Sequence, residues 1–127
     1  MDMQIFATLP ASDIDRARSW YSERLGLEPV DSSPDGGLFY DVGGSMVLLY
    51  PSAFAGTNQA TAAGMVVKDF DAAAAMLRAN GVEFEDYDFG EEFRTVDGVL
   101  TAPDGAKGAW FQDSEGNILG LTEDTRS

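Results

Sequence analysis

The sequence predicts an α+β fold made of two tandem βαβββ modules, each a strand, a helix and three further strands. Two observations carry the prediction. The run Asp13-Ile14-Asp15-Arg16-Ala17 returns as Asp69-Phe70-Asp71-Ala72-Ala73, and each copy passes through a helix-like stretch to a stop glycine, Gly26 or Gly81. The offset is 56 residues at the start and 55 at the end. The tails match as well: Gly37-Leu38-Phe39-Tyr40-Asp41, Gly44 and the apolar run Met46–Leu49 resemble Gly108-Ala109-Trp110-Phe111, Asp113, Gly116 and Ile118–Leu121. Repeats of this length signal paired supersecondary units. Two like units facing each other make a cleft, and function is expected there. At 127 residues the chain fits one domain, so the repeat reads as two halves of one fold. The first module covers about 3–51, a polar linker about 52–59 and the second module about 60–124.

Residues 3–10 alternate weakly and stop at Pro10, which has no backbone donor, so they read as the first strand. Ser12 or Asp13 caps the helix that follows. Ile14, Ala17, Tyr21 and Leu25 recur at spacings of three or four and fall on one face, and Gly26 supplies the exit. Leu27–Asp31 reads as a short strand and Ser32–Gly37 as a turn. Leu38–Val42 and Ser45–Tyr50 form a hairpin around Gly43-Gly44.

The second module repeats this order. Thr61–Lys68 is a strand, and a helix capped near Asp69 buries Phe70, Ala73, Met76 and Leu77 before Gly81 ends it. Val82–Tyr87 reads as the next strand, and Lys107–Gln112 pairs with Asn117–Thr122 across the turn Asp113-Ser114-Glu115-Gly116. Between them, Asp88–Ala106 is extra and carries Phe89, Glu91, Glu92, Phe93 and Arg94. Loops of that length are more often functional than idle, so the segment reads as a flap or rim loop.

Composition narrows the function. With 44% hydrophobic against 24% charged residues, the chain can fill a core. No apolar stretch approaches the roughly 20 residues that span a membrane, and the start Met1-Asp2-Met3-Gln4 lacks a signal segment, so the expected location is cytoplasmic. The absence of cysteine removes disulfides and thiolate chemistry, and without histidine neither Ser-His-Asp nor Cys-His catalysis can operate. The formal net charge of −14 repels phosphate backbones and anionic lipid, which argues against nucleic acid and membrane partners. Solubility, salt adaptation and attraction of a cationic small molecule are three readings of this acid excess. Gly36-Gly37 and Gly43-Gly44 do not open a helix, so no phosphate loop is present.

Two signatures resemble the vicinal oxygen chelate superfamily, which includes glyoxalase I, extradiol dioxygenases, and fosfomycin- and bleomycin-resistance proteins. The first is Ser12-Asp13-Ile14-Asp15-Arg16-Ala17 with Trp20-Tyr21 and Leu25-Gly26-Leu27; the second is Trp110-Phe111-Gln112-Asp113-Ser114-Glu115-Gly116-Asn117-Ile118-Leu119. The resemblance implies that the modules curl into a half-open mixed β-sheet barrel with the helices outside, often completed as a homodimer. It also implies metal ligands on the first and last strands of each module. The matching positions are Phe6, Leu48, Ala62 and Gly120, none of which can coordinate an ion. No metal and no cofactor are therefore expected, and the resemblance shifts toward metal-independent members that sequester a drug. Glu83, Glu85, Asp86 and Asp88 are leftover oxygen donors that also suit a solvated strand edge.

Strand parity then proposes an inner face. If the four apolar positions point inward, so do Thr8, Met46, Tyr50, Gly64, Ile118 and Thr122. Gly64 and Gly120 leave room, while Trp110 and Gln112 share a face and offer a stacking plane and an amide to a planar ligand. Thr8, Tyr50, Gly64, Trp110, Gln112 and Gly120 are thus the expected binding residues for a small organic ligand, cationic or aromatic. The alternative is a lyase, isomerase or dioxygenase-like enzyme using Tyr50, Tyr40 or Glu92, with Glu91, Glu92 and Arg94 as an acid/base set on the flap.

Overall fold

The computed structural model describes residues 2–91 and 93–126. In chain order its elements are β1 (Ala7–Ala11), α1 (Ile14–Leu25), β2 (Asp31–Ser32), β3 (Leu38–Val42), β4 (Ser45–Pro51), β5 (Thr61–Val67), α2 (Phe70–Ala79), β6 (Leu100–Thr101), β7 (Lys107–Gln112) and β8 (Ile118–Glu123). The doubled strand, helix, three-strand order stands as expected. The chain divides into two compact units: the first runs to Gln59 and takes in the β7–β8 turn, Asp113–Asn117, and the second holds Ala60–Gln112 and the residues from Ile118 on.

In the first unit the sheet order is β1-β4-β3-β2, with β1 parallel to β4 and the other pairs antiparallel. Helix α1 starts where the Asp13 carboxylate accepts from the Arg16 amide at 3.0 Å and ends at Gly26, whose φ of 69° is the left-handed cap that glycine adopts without strain. Its Ala17 and Tyr21 are buried with Leu9, Ala11, Leu38, Tyr40 and Leu49, which form this unit's core. Gly43 and Gly44, at φ 60° and 91°, make the two-residue turn that matches the twist of β3 and β4. The first strand begins at Ala7 and runs through Pro10 to Ala11. Pro10 is tolerated because β1 is an edge strand, with one side free of ladder bonds. The strand expected at Leu27–Asp31 shrinks to Asp31–Ser32: Pro29 has no N–H to give, and pairing begins only as the Val30 amide reaches the Phe39 carbonyl at 2.8 Å.

The second unit repeats the order as β5-β8-β7-β6, again with a parallel first pair, β5 on β8. A bulge between Thr61 and Ala63 interrupts that pairing. The Asp69 carboxylate caps α2 by accepting from the Ala72 amide at 3.0 Å. Phe70, Ala74 and Leu77 are its buried residues, whereas Met76, expected inside, is 52% exposed. The buried stripe advances by four and then three from Phe70, and Met76 falls beside it.

Val82–Tyr87 is not a ladder strand, and the third element of this module is instead β6, from within the inserted segment. The Glu85 amide still donates to the Trp110 carbonyl at 2.8 Å, but the acid-rich chain then turns to other partners. Asp86 accepts from the Thr95 hydroxyl at 2.8 Å and the Gly98 amide at 2.7 Å. The expected flap is therefore a built hairpin arm: Thr95 N–H meets the Tyr87 carbonyl at 2.8 Å, Asp88 bridges Arg94, and the Phe89 amide meets the Phe93 carbonyl at 2.8 Å. A second turn follows at Asp97 and Gly98, both at positive φ, closed by the Val96–Val99 bridge. Glu92 lies outside the described residues.

Candidate functional site

Each sheet buries one face under its helix, and the opposite face is where a ligand finds open backbone. In the first unit this face carries Thr8, which pairs with Leu48, and Tyr50, which pairs with Pro10. Thr8 is exposed and Tyr50 half-buried. Phe6 precedes β1 and sets its ring edge-on to Phe39 at 5.6 Å. Tyr40 belongs to the other side. It is 2% exposed, with its ring 5.7 Å from that of Tyr21, and so lies apart from Tyr50, the other tyrosine that the enzyme alternative named.

The first unit also holds a polar network at the β7–β8 turn. Asp113 accepts from the Tyr21 hydroxyl at 2.6 Å, from the Asn117 side chain at 2.9 Å and from the amides of Glu115 and Asn117, both at 2.9 Å. The Asn117 amide group also donates to the Pro10 carbonyl at 2.9 Å. Burial, then the charge and hydrogen bond of Asp113, drive the Tyr21 hydroxyl far above its ordinary pKa, so it stays a donor. These residues hydrogen-bond one another and tie the β7–β8 turn to α1 and β1, and the second signature motif runs through them.

The second unit brings three of the six expected residues into one cross-strand row. Gly64 pairs with Gly120, and Gly120 with Trp110. Gln112 stands two pairs further along, opposite Ile118, and is exposed. The glycines differ in what they leave open. A Cβ on Gly120 would meet Trp110 Nε1 at 3.5 Å and Thr61 Cγ2 at 3.6 Å, so the indole already leans over it, while a Cβ on Gly64 would meet nothing within 4 Å.

Tyr87, Phe89 and Thr61 complete this surface and were not found by sequence reasoning. Tyr87 meets Trp110 edge-on at 5.8 Å, and Phe89, 77% exposed, lies nearly parallel to Tyr87 at 5.8 Å. The bulge disturbs the alternation on β5: Thr61 pairs with Ile118, outside the row, yet its Cγ2 reaches the space above Gly120, and nothing in the sequence marks it. The Tyr87 hydroxyl donates to the Glu85 carboxylate, and that bond, with burial, pushes Tyr87 up to about 12. Asp86 is held below the ordinary carboxylate range by its bonds from Thr95 and Gly98. Of the proposed acid/base set, Glu91 is exposed at the arm's tip, Arg94 bridges Asp88 through its backbone, and Glu92 lies outside the described residues.

The four positions that the resemblance assigns to metal ligands do not fit an ion. Phe6, Leu48, Ala62 and Gly120 carry no oxygen, nitrogen or sulfur donor in their side chains. Among the described residues, no group of three or more carboxylates lies close enough together to substitute for them. No chemical step can be routed through a metal held by this set.

Comparisons with known proteins agree with the architecture. The sequence model of the Glyoxalase/Bleomycin resistance protein/Dioxygenase superfamily matches residues 5–119. No curated protein matches the sequence. Among solved structures, a lactoylglutathione lyase from Agrobacterium tumefaciens superposes with a TM-score of 0.69 at 20% identity, covering 96% of this chain and 94% of that one. A glyoxalase / bleomycin resistance protein from Catenulispora acidiphila gives 0.69 at 19% identity, over 97% and 99% of the two chains. A fosfomycin resistance protein from Listeria monocytogenes gives 0.68 at 15% identity, over 98% and 95%. At such identities the likeness speaks for the fold alone. The match to the sequence model covers most of the chain, and on that ground this protein belongs to the Glyoxalase/Bleomycin resistance protein/Dioxygenase superfamily.

Proposed function

We propose that the protein binds a small organic molecule with a planar aromatic part, without a metal, and acts by sequestration as drug-resistance proteins do. The observation that carries this reading is the row in the second unit, where the Trp110 indole stands beside two glycines, with Tyr87 edge-on and Phe89 beyond it. Gly120 lies beneath the indole while Gly64 is exposed, so an aromatic wall beside the open backbone of Gly64 offers both stacking area and room for a ring. Fluorescence titration of the Trp20→Phe variant, in which Trp110 is the remaining tryptophan, tests it. Planar aromatics are expected to quench that emission with saturation and to stabilise the fold by about 2.7 kcal/mol at a hundred times Kd. A panel of planar compounds that changes neither emission nor Tm would defeat the proposal.

One observation favours a second reading, a lyase-, isomerase- or dioxygenase-like enzyme. The Tyr87 hydroxyl and the Glu85 carboxylate form a proton donor and acceptor beside the indole. Turnover of an aldehyde–thiol adduct, lost in Tyr87→Phe, would establish this reading. The proposal further places the protein in the cytoplasm as a homodimer, for which light scattering gives the mass.

A further inference from the structure

We infer that the Trp110 surface is built for a cationic ligand: a planar aromatic bearing a protonated amine or amidinium, its ring against Trp110 over Gly64 and its cation at Glu85 and Tyr87. This rests on the aromatic-ligand reading above and adds the polar end of the molecule. The geometry is a row of four neighbouring backbones. Gly64 pairs with Gly120, Gly120 with Trp110, and the Glu85 amide donates to the Trp110 carbonyl at 2.8 Å. Sheet neighbours stand about 4.8 Å apart, so the row from Gly64 to Glu85 spans about 14 Å, the length of two fused rings and a short ammonium arm.

The side chains fall correctly for this. Glu85 shares a side with Tyr87, whose hydroxyl donates to its carboxylate, while Phe84 packs on the buried Phe111. Tyr87, two residues further, reaches Trp110 on that side. The polar end is rich in acceptors. The Tyr87 hydroxyl hydrogen is committed to Glu85 Oε2, which leaves lone pairs on the Tyr87 oxygen and on the carboxylate, and these can receive only donors.

Among the described residues, no ion pair joins a basic side chain to Glu85. The ion pairs among them are Arg16–Glu115, Arg24–Glu23, Lys68–Asp124, Lys107–Asp71 and Arg126–Asp124. Arg78 lies over the Phe84 ring at 4.8 Å and donates to the Asp97 carbonyl. Arg94 stands opposite Asp88 in an isolated bridge of the arm. A ligand cation would meet a Glu85 carboxylate that no ion pair among the described residues occupies, and it gains from both charge and the ring quadrupole.

The test is a matched pair of probes, 1-naphthylmethylammonium and the neutral 1-naphthalenemethanol, titrated calorimetrically into wild type, Glu85→Gln and Glu83→Gln. Glu83→Gln makes the same change in net charge on the same segment. Wild type and Glu83→Gln are expected to bind the ammonium at least about ten-fold more tightly than the alcohol, a difference of about 1.4 kcal/mol. Glu85→Gln is expected to erase that preference and leave alcohol binding unchanged. Equal affinity of the two probes for wild type would overturn the cation subsite while the aromatic surface survives. An equal loss in Glu83→Gln would trace the preference to the overall field and overturn it as well. A Glu85→Gln protein that weakens both probes alike would reduce Glu85 to a structural role. Binding of neither probe would sink the aromatic reading, and this inference with it.

Discussion

Arg16 and Glu115 form a two-point ion pair, Nε to Oε2 at 2.9 Å and Nη2 to Oε1 at 3.0 Å, in which the carboxylate is fully buried while the guanidinium is 53% exposed. The same carboxylate accepts from the Asp13 amide at 2.9 Å and the Ser114 hydroxyl at 2.8 Å. It thus sits at the start of α1, where the free amides of a first helical turn favour negative charge.

Burial alone would raise the pKa of Glu115, but the bonds from Arg16, Ser114 and the Asp13 amide outweigh it and hold the group at about 2, against an ordinary 4.5. A folded-state pKa below the unfolded one gives stability that is complete above the unfolded value and is lost as the pH falls through the folded one. Solvent at Arg16 screens part of the gain, so Glu115→Gln is expected to cost about 2 kcal/mol at neutral pH. At pH 2 the variant and wild type should converge. Urea denaturation across that range measures it, and a difference independent of pH would refute the ion-pair account.

Gly116 and Gly56 touch backbone to backbone. A Cβ on Gly116, at φ 84°, would come within 2.9 Å of the Gly56 Cα. Gly116→Ala therefore meets both left-handed strain and a collision with main chain that cannot swing aside, and is expected to cost about 3 kcal/mol. Gly26 shares the left-handed backbone, at φ 69°, but a Cβ there meets nothing within 4 Å. Gly26→Ala should cost only about 1 kcal/mol. Similar losses in the two variants would show that the close approach does not matter.

Tyr21 and Tyr40 pack ring on ring at 5.7 Å, yet their hydroxyls differ. Tyr21 donates to Asp113 at 2.6 Å, whereas the Tyr40 oxygen is the buried side-chain polar atom without a hydrogen-bond partner among the described residues. Tyr21→Phe leaves a buried carboxylate short of a donor and is expected to cost about 2 kcal/mol. Tyr40→Phe deletes an unsatisfied group and is expected to be neutral or stabilising by up to about 1 kcal/mol. Thermal unfolding of the pair decides it, and a costly Tyr40→Phe would mean that its hydroxyl has a partner.

Much of this architecture could be read from residues whose local chemistry admits one use. Asp13 and Asp69 cap their helices as their spacing predicts, Gly43-Gly44 makes its tight turn, and Lys107–Gln112 is a strand as expected. Strand β6 was hidden because two residues, Leu100 and Thr101, pair through tertiary context rather than through pattern. The acids of Val82–Tyr87 mimic a strand edge, but Asp86 takes the Thr95 and Gly98 donors instead. In the candidate site, strand parity puts Gly64 and Gly120 on one face, and the pairing, regular from Ala63 onward, sets Trp110 beside Gly120. Thr61 escaped because a bulge breaks parity, and Tyr87 because a ring contact across non-adjacent segments leaves no periodic trace.

Gly64 offers the cleanest way to fill the surface without disturbing the fold. Its φ is not positive, and an added Cβ meets nothing within 4 Å, in contrast to Gly120, where it would press on Trp110 Nε1 at 3.5 Å. Valine suits an extended backbone better than glycine, so Gly64→Val is expected to hold or raise stability by up to about 1 kcal/mol. The branched side chain would occupy the open backbone beside the indole, where the ring would otherwise lie. Affinity for 1-naphthalenemethanol should fall at least about ten-fold, or about 1.4 kcal/mol, while Tm stays at or above that of wild type. A Gly64→Val protein that keeps its Tm and binds the alcohol as tightly as wild type would show that aromatic ligands do not use this row.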